Sequence, residues 1–193
     1  MGNRENLLEG AKRCLYERGY ARTTARDIVN ESGTNLASIG YHYGSKDALL
    51  DEALISIATE TDSLWGTTAD ISQSFPDAWD RMLEDLASHQ NWLVGHTELW
   101  CQMQRSPALK EKYLELASEQ RAAAVQRALE VKPDLDQQTA EAVTSLSMAI
   151  GDGLVVQLLA DQDLTINGSE LPAALRALAD YYEDAAATAN DED

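Results

Sequence analysis

Residues 23–50 read TTARDIVNESGTNLASIGYHYGSKDALL, and this stretch decides the fold. Two short helical segments, Thr24–Ser32 and Asn35–Tyr41, are separated by a turn that contains Gly33, and a third helix begins at Ser45. Two short helices joined by a tight turn that often holds glycine form a helix-turn-helix, whose second helix lies in the DNA major groove. The sequence therefore predicts a DNA-binding unit near the N-terminus.

The formal net charge of −18 over 193 residues argues at first against a nucleic-acid partner. The charge, however, is unevenly distributed. Residues 1–50 hold 7 basic and 6 acidic side chains, a net charge of +1, whereas residues 51–193 hold 8 basic and 27 acidic ones, a net charge of −19. Such asymmetry is expected of a DNA-contacting head on an acidic body. For the body alone, acidity that keeps the protein soluble is the simpler interpretation.

Helical periodicity extends over almost the whole chain, and strand-like alternation is absent from the sequence. We predict an all-α fold of about nine helices, with a three-helix helix-turn-helix head over residues 1–50, a helical body over 51–188 and an acidic tail over 189–193. The helices predicted in the body after its first loop cover residues 77–94, His96–Arg105, Ala108–Val131, Gln137–Ala160 and Leu171–Ala187, with a break expected at Gly95.

The sequence also limits the compartment and the chemistry. It has no unbroken run of about 18 apolar residues and no apolar signal core, so we expect a cytoplasmic protein that does not span a membrane. Cys14 and Cys101 are far apart and are expected to be reduced, half-buried thiols. No metal-binding, phosphate-binding or dinucleotide motif is present, and no nucleophile–base pair is visible. We therefore predict no metal, no cofactor and no enzymatic activity.

The segment from Gly19 to Leu50 resembles a known family. G-Y-x-x-T-T-x-x-D-I, from Gly19 to Ile28, and S-G-T-N-L-A-S-I-G-Y-H-Y-G-S-K-D-A-L-L, from Ser32 to Leu50, are similar to the TetR family of transcriptional regulators. The threonine pair, the turn glycine, the Tyr-His-aromatic triplet and the Ser-Lys-acidic opening of the fourth helix fall in register. The resemblance covers residues 5–55. Beyond residue 60 it is one of architecture, and it implies a helical ligand-binding and dimerisation domain over residues 51–188.

The resemblance implies DNA contacts at particular positions. A threonine that caps the second helix and a lysine at the start of the fourth would hold phosphates, since helix N-termini favour anions. The first turn of the recognition helix would read base edges, and the Tyr-His pair would touch the backbone or a base edge. The predicted DNA-binding residues are Thr24, Thr34, Asn35, Ala37, Ser38, Tyr41, His42 and Lys46.

Gly40 departs from the family pattern, which often has tyrosine at this position. Glycine cannot make that contact, and it weakens a helix interior by about 1 kcal/mol. We therefore expect a recognition helix that is short or partly ordered by DNA. Ile28, Ile39 and Tyr43 are interpreted as core residues rather than contacts.

Aromatic side chains are concentrated in the middle of the body. A mostly apolar cavity with a few polar groups is how proteins hold small molecules, and the resemblance implies a small apolar or aromatic effector, often one that releases DNA. The predicted ligand-binding residues are Trp65, Trp92, His96, Trp100, Met103 and Tyr113, with Asp152 as a polar orienter. For each of them, simple core packing is the alternative.

The last two predicted helices have broad faces of Ala, Gly, Leu and Val, which favours a homodimer built through a four-helix interface. The resulting hypothesis is a regulator of transcription, a ligand-released repressor that binds a palindromic operator as a homodimer. Two alternatives remain. One is a small helical enzyme that uses the tryptophan-rich cavity, and the other is an acidic interaction module whose helix-turn-helix has lost DNA binding.

Overall fold

The structure, a computed structural model, describes residues 2–59 and 74–190. These ranges contain nine α-helices, one short 3-10 helix at Gln162–Leu164 and no strand, so the predicted all-α fold is confirmed. The helices are α1 (Asn3–Arg18), α2 (Ala25–Ser32), α3 (Leu36–Tyr43), α4 (Lys46–Thr59), α5 (Phe75–Ser88), α6 (Gln90–Met103), α7 (Pro107–Val131), α8 (Gln137–Ala160) and α9 (Leu171–Asn190).

The four helices of the head enclose a small apolar core. Leu7 and Leu15 of α1, Ile28 of α2, Ile39 of α3 and Leu50 of α4 are all buried, as the helical spacing predicts. α1 precedes the helix-turn-helix and packs against both of its helices, and α4 follows it and packs against α3 and α1. These two helices therefore hold the motif in place.

α1 and α2 cross closely at Gly10. A Cβ atom built on Gly10 would lie 2.7 Å from the Cβ of Ser32 and 3.1 Å from the carbonyl oxygen of Ile28. Contacts this short leave no room for a side chain, so glycine sets the distance between the two helices. The sequence analysis did not single out this residue.

Each short helix of the head begins at a side-chain cap. Thr24 and Asp27 form a capping box in which the Asp27 N–H donates to Thr24 Oγ1 over 3.2 Å. Asn35 Oδ1 accepts from the Ser38 N–H over 3.1 Å at the start of α3, and Ser45 caps α4 in the same way. Helices of eight residues are not stable alone, so these caps and the core together fix where they begin.

The predicted break at Gly95 is wrong. α5 ends at Ser88 and α6 begins at Gln90, with His89 between them at φ −105° and ψ 52°. Gly95 is buried inside α6, where a Cβ would lie 2.9 Å from Ile57 Cγ2 of α4. This glycine therefore permits the close packing of α6 on α4 and does not end a helix.

α4 runs through the predicted boundary at residues 50 and 51 and joins the head to the body. Its N-terminal half packs on the head, and its C-terminal half packs on α6, which lies at the centre of the body against α1, α5, α7 and α8. The core of the body includes Ile57, Leu86, Leu93, Leu99 and Leu154.

The segment between α8 and α9 is tied to α5 by two hydrogen bonds. Trp79 Nε1 donates to the Ile166 carbonyl oxygen over 2.9 Å, and the Gly168 N–H donates to Asp80 Oδ1 over 2.6 Å. These bonds fix the point from which α9 begins.

α8 and α9 leave extended apolar faces exposed. Among the described side chains of α9 the first, Leu171, is the only one that is buried. The exposed large apolar side chains of the two helices are Val143, Leu146, Met148, Val156, Leu175, Leu178, Tyr181 and Tyr182. Contiguous exposed apolar faces are typical of surfaces that bind another molecule.

α8 is also, within the described ranges, the one helix that is long and apolar enough by length and composition to cross a membrane. This differs from the expectation drawn from the absence of an unbroken apolar run. α8 reaches its high mean hydropathy by combining apolar residues with small uncharged ones. Length and composition are weak criteria, since a helix packed between two protein layers meets them equally well.

Candidate DNA-binding surface and effector site

α3 presents a continuous exposed surface. Leu36 and Ala37 in its first turn and Gly40 and Tyr41 in its second are all exposed, with Tyr41 at 85 %. Residues four apart lie on the same helix face, so these two pairs form one side of α3, opposite the buried Ile39. The expected short recognition helix has eight residues, and it ends at Gly44 with a positive φ of 79°.

The amide of Asn35 is divided between two possible tasks. Its Oδ1 accepts the Ser38 N–H over 3.1 Å, and the residue as a whole is exposed. A bidentate contact with adenine uses both the oxygen and the nitrogen of an asparagine side chain. The NH₂ group can donate to an acceptor on a base edge, and Oδ1 has a second lone pair besides the one that accepts the Ser38 N–H.

Leu36 was missed by the sequence analysis. Its side chain is 52 % exposed and stands directly after the Asn35 cap. An apolar side chain on this surface can pack on a thymine methyl group, as the methyl group of Ala37 also can. Its position could have indicated this exposure, because a side chain at the first residue of a helix has no earlier turn of that helix to pack against.

The remaining predicted residues of this motif are partly covered. Thr34 is half-buried, with its Oγ1 2.8 Å from Ser32 Oγ, and Ser38 in the first turn of α3 is also half-buried. His42 is half-buried, and its ring meets the Tyr41 ring edge to face at 4.8 Å between centroids. These contacts orient the surface of α3, and Tyr41 remains its most exposed side chain.

The two adjacent threonines have opposite orientations. Thr23 is buried, and its Oγ1 donates to the carbonyl oxygen of Gly19 over 2.8 Å, which ties the start of α2 to the end of α1. Thr24 is exposed and caps α2 together with Asp27, and hydrogen bonds from Thr24 hold the pKa of the Asp27 carboxyl below its ordinary value. The threonine pair therefore joins two helices and leaves the N-terminus of α2 accessible.

Lys46 brings the N-termini of α2 and α4 together. Its Nζ donates to the Thr23 carbonyl oxygen over 3.3 Å and lies 3.1 Å from Asp47 Oδ1. The ammonium also stands 6.0 Å from the centroid of the Tyr20 ring. A positive charge is thus fixed beside two helix N-termini, an arrangement that suits a phosphate group.

Two arginines of the head remain exposed and have no carboxylate partner among the described residues. They are Arg22, whose Nε donates to the Arg18 carbonyl oxygen over 2.8 Å, and Arg26. The other three form ion pairs, in which Arg4, Arg13 and Arg18 face Glu52, Glu31 and Asp27 respectively. Arg22 and Arg26 are therefore the arginines best placed to meet a phosphate backbone.

The structure brings five of the predicted effector residues into one cluster. Trp92, His96 and Trp100 form a stripe along α6 at a spacing of four residues, where the Trp92 and His96 rings stack at 4.8 Å between centroids. Tyr113 of α7 meets the Trp100 ring at 5.6 Å, and Asp152 Oδ1 of α8 lies 3.5 Å from His96 Nε2. These five residues are called the aromatic stripe below.

The other two predicted effector residues are not placed in this cluster. Met103 is buried in the core at the end of α6, and Trp65 lies outside the described residues. Burial raises the pKa of the Tyr113 hydroxyl, and the Asp152 carboxylate raises it further. In the part of the chain that the structure describes, no three His, Cys, Asp or Glu side chains are grouped so as to hold a metal ion.

A junction that the sequence analysis did not find joins α6, the helix that carries most of the aromatic stripe, to the head. Glu98 lies on α6 between His96 and Trp100, and its Oε1 accepts from the Tyr20 backbone N–H over 2.6 Å. The Tyr20 hydroxyl donates to Asp51 Oδ1 of α4 over 2.8 Å, and burial raises the pKa of this hydroxyl well above its ordinary value. No local pattern reveals a contact between residues that are 78 positions apart.

A separate cleft of about 620 Å³ lies between the end of α1 and one side of α6. Its walls include Arg18, Gly19, Glu98 and Cys101, and none of the predicted effector residues. Cys101 is exposed here and Cys14 is buried, so the expected half-buried state is wrong for both, although both thiols are free as predicted. Burial also raises the pKa of the Cys14 thiol.

A capped and exposed α3, held by a small helical head on a larger helical body, is an arrangement typical of helix-turn-helix DNA-binding regulators. The comparisons agree with this class. The family model described as bacterial regulatory proteins, tetR family, matches residues 7–53.

Two curated relatives are transcriptional repressors. The chain is similar to the HTH-type transcriptional repressor AcnR of Corynebacterium efficiens, with 27 % identity over 113 residues that span 58 % of this chain and 57 % of that protein. It is also similar to the HTH-type transcriptional repressor Rv1474c of Mycobacterium tuberculosis, with 25 % identity over 192 residues that cover 93 % of this chain and 90 % of that protein.

Among solved structures, a transcriptional regulator from Saccharomonospora viridis in complex with choline has the same fold. The two structures agree with a TM-score of 0.64 at 22 % sequence identity, over 90 % of this chain and 93 % of that chain. Residues 7–53 are thus similar to the tetR family of bacterial regulatory proteins, and the curated relatives that the chain resembles are transcriptional repressors.

Proposed function

We propose that this protein is a cytoplasmic transcriptional repressor that binds a palindromic operator as a homodimer and releases it when a small apolar or aromatic effector binds the body. The exposed face of α3 is the observation that carries the proposal. It presents Asn35, Ala37 and Tyr41, and it is flanked by the N-termini of α2 and α4, which Lys46 holds together. Base readout from α3 and phosphate contacts from these N-termini form one DNA-binding surface, to which Thr24, Thr34, Ser38 and His42 also contribute.

The homodimer is supported by the state of α9. Among its described side chains, this helix exposes Leu175, Leu178, Tyr181 and Tyr182 and is buried only at its start. An isolated helix of this kind is marginal in water, and apolar side chains at helical spacing need a partner surface. A second copy that pairs α8 and α9 with their counterparts would cover both faces in a symmetric interface.

The effector site is supported by the aromatic stripe on α6. Its rings offer apolar surface, and His96 and Asp152 add polar groups, which is the composition of a small-molecule site. The Saccharomonospora viridis regulator was solved with choline, so a protein of this fold holds a small molecule. Trp65 and Met103 remain part of the proposal from the sequence alone.

Release of DNA is supported by the junction at Glu98. This residue lies on the same helix as His96 and Trp100 and bonds the backbone of Tyr20 in the head. A ligand that favours a different position of α6 would move the head through this bond and through α4. The effect on operator affinity cannot exceed the difference in ligand affinity between the two positions.

Selection of bound duplexes from a random pool tests the proposal. We expect a palindrome whose half-site centres are separated by about 34–36 Å, or by a multiple of that distance. A purified protein that prefers no duplex over random DNA would contradict the proposal.

The alternative of an interaction module that has lost DNA is favoured by the net charge of −18 and by Gly40. The Lys46→Ala variant distinguishes a DNA-binding regulator from an interaction module. For a DNA-binding regulator, this change weakens binding to all duplexes alike and reduces the slope of log affinity against log salt by about one. The measurement is a salt titration of duplex binding, with Lys110→Ala on the exposed side of α7 as the control. An unchanged slope would favour the interaction module.

A further inference from the structure

The aromatic stripe contains two buried polar atoms that have no hydrogen-bond partner among the described residues. They are Trp92 Nε1 and His96 Nδ1, and the Trp92 side chain is only 5 % exposed. Buried side-chain nitrogens are rarely left without a partner. These two atoms therefore indicate what kind of group the proposed effector would bring.

Both atoms are donors. Trp92 Nε1 always carries a proton. Trp100 Nε1 donates to His96 Nε2 over 3.2 Å, so Nε2 acts as the acceptor and the proton of the neutral ring lies on Nδ1. In the charged ring both nitrogens carry protons, so Nδ1 is a donor in either state. The stripe thus offers two buried N–H groups to an incoming acceptor.

The surrounding charge selects among acceptors. Asp152 Oδ1 lies 3.5 Å from His96 Nε2, and residues 51–193 carry a net charge of −19, so an anionic ligand is repelled. A quaternary ammonium can stack on aromatic rings but cannot accept a hydrogen bond. A neutral carbonyl group satisfies both conditions, and the Trp92–His96 and Trp100–Tyr113 rings suit an aromatic body.

We propose that the effector is a neutral aromatic carbonyl compound whose oxygen accepts hydrogen bonds from Trp92 Nε1 and His96 Nδ1. This rests on the proposed function only in placing the effector at the aromatic stripe. The stripe has an enclosed end at Trp92 and an accessible end, where Trp100 is 40 % exposed and the Asp152 side chain 51 % exposed.

Four phenyl compounds of similar size test which chemical group the aromatic stripe prefers. Acetophenone carries the carbonyl group, and α-methylstyrene has the same shape with CH₂ in place of the oxygen. Benzoate carries a negative charge, and phenyltrimethylammonium a positive one. Calorimetry on the full-length protein should give acetophenone about tenfold tighter binding than α-methylstyrene, the order expected for meeting buried donors. Benzoate and phenyltrimethylammonium should bind more weakly than acetophenone.

Trp92→Phe replaces the indole with a phenyl ring, which keeps an aromatic side chain and removes the N–H, so the preference for acetophenone over α-methylstyrene should fall to about threefold. Trp79→Phe is the matched control, because Trp79 Nε1 is already bonded to the Ile166 carbonyl oxygen, and it should leave the preference unchanged. In NMR spectra, the indole signal absent from Trp92→Phe should move downfield in the wild type with acetophenone and stay in place with α-methylstyrene.

The proposal is overturned if acetophenone shows no saturable binding, if the two neutral probes bind equally, or if either charged probe binds more tightly. A preference that stays at about tenfold in Trp92→Phe also overturns it. Should Trp92→Phe fail to fold, the four affinities of the wild type decide alone. Operator binding measured without any probe is independent of these outcomes, so a wrong ligand class is distinguishable from a protein that does not bind DNA.

Discussion

At the scale of single residues, Asn35 shows how one side chain can serve both the fold and a binding surface. Its oxygen caps α3 by accepting from the Ser38 N–H, and its NH₂ group remains available to a base. A simple alanine substitution removes both functions at once. A phenotype of Asn35→Ala alone would therefore not distinguish a lost base contact from a weakened helix.

Comparing two substitutions separates these functions. Asn35→Ala should lower the stability of the head by about 1 kcal/mol through loss of the cap, whereas Asn35→Ser retains a capping oxygen and should leave the stability nearly unchanged. Both should relax base preference at one operator position, because both lack the amide. Thermal unfolding and duplex selection measure the two effects. If Asn35→Ser keeps the wild-type base preference, Asn35 acts only as a cap.

At the scale of helices, most boundaries could be predicted because their signals are local. Caps and breakers lie within the segments themselves, and α8 begins and ends at the predicted residues Gln137 and Ala160. The helix break predicted at Gly95 was wrong because the role of this glycine depends on a distant residue and not on a local signal. A glycine inside a helix can end it or admit a neighbour, and the neighbour, Ile57, lies on another helix. The aromatic stripe was predictable from residue types, but its pairing with Glu98 and Tyr20 depends on tertiary contacts.

Two helical glycines of the head provide a test of helix crossing. Gly10→Ala would place a Cβ 2.7 Å from Ser32 Cβ, and we expect a loss of about 1–3 kcal/mol as α1 and α2 separate. Gly40→Ala is the matched control, because a Cβ there meets nothing within 4 Å. It should stabilise α3 by about 0.5–1 kcal/mol. Chemical denaturation of both variants measures the difference, and equal effects would contradict the close crossing.

At the scale of the whole molecule, the apolar faces of α8 and α9 predict the assembly. Leu146→Lys places a charge on a side chain that is 55 % exposed in the protomer but covered in the proposed interface. We expect a shift from dimer to monomer in sedimentation experiments and a loss of operator affinity, since one head reads only a half-site. Val131→Lys at the end of α7, where the side chain is 78 % exposed, should change neither. A dimer that persists in Leu146→Lys would place the interface elsewhere.

The junction between α6 and the head yields a further prediction at this scale. Glu98→Ala removes the acceptor of the Tyr20 N–H, whereas Glu98→Gln retains an oxygen at the same position. We expect Glu98→Ala to reduce the change in operator affinity that acetophenone produces, and Glu98→Gln to preserve most of it. Acetophenone binding itself should be similar in both variants. Equal coupling in wild type and Glu98→Ala would show that α4 alone links the body to the head.

The exposed length of α9 has a consequence for the protein as a population of molecules. On the proposed assembly, α9 obtains most of its apolar contacts from a second copy, so part of the folding free energy belongs to association. Mass action then ties the melting temperature to the protein concentration. A cell that makes few copies would hold a larger fraction of loosened protomers, and the threshold for occupying DNA would depend on the rate of synthesis as well as on the effector.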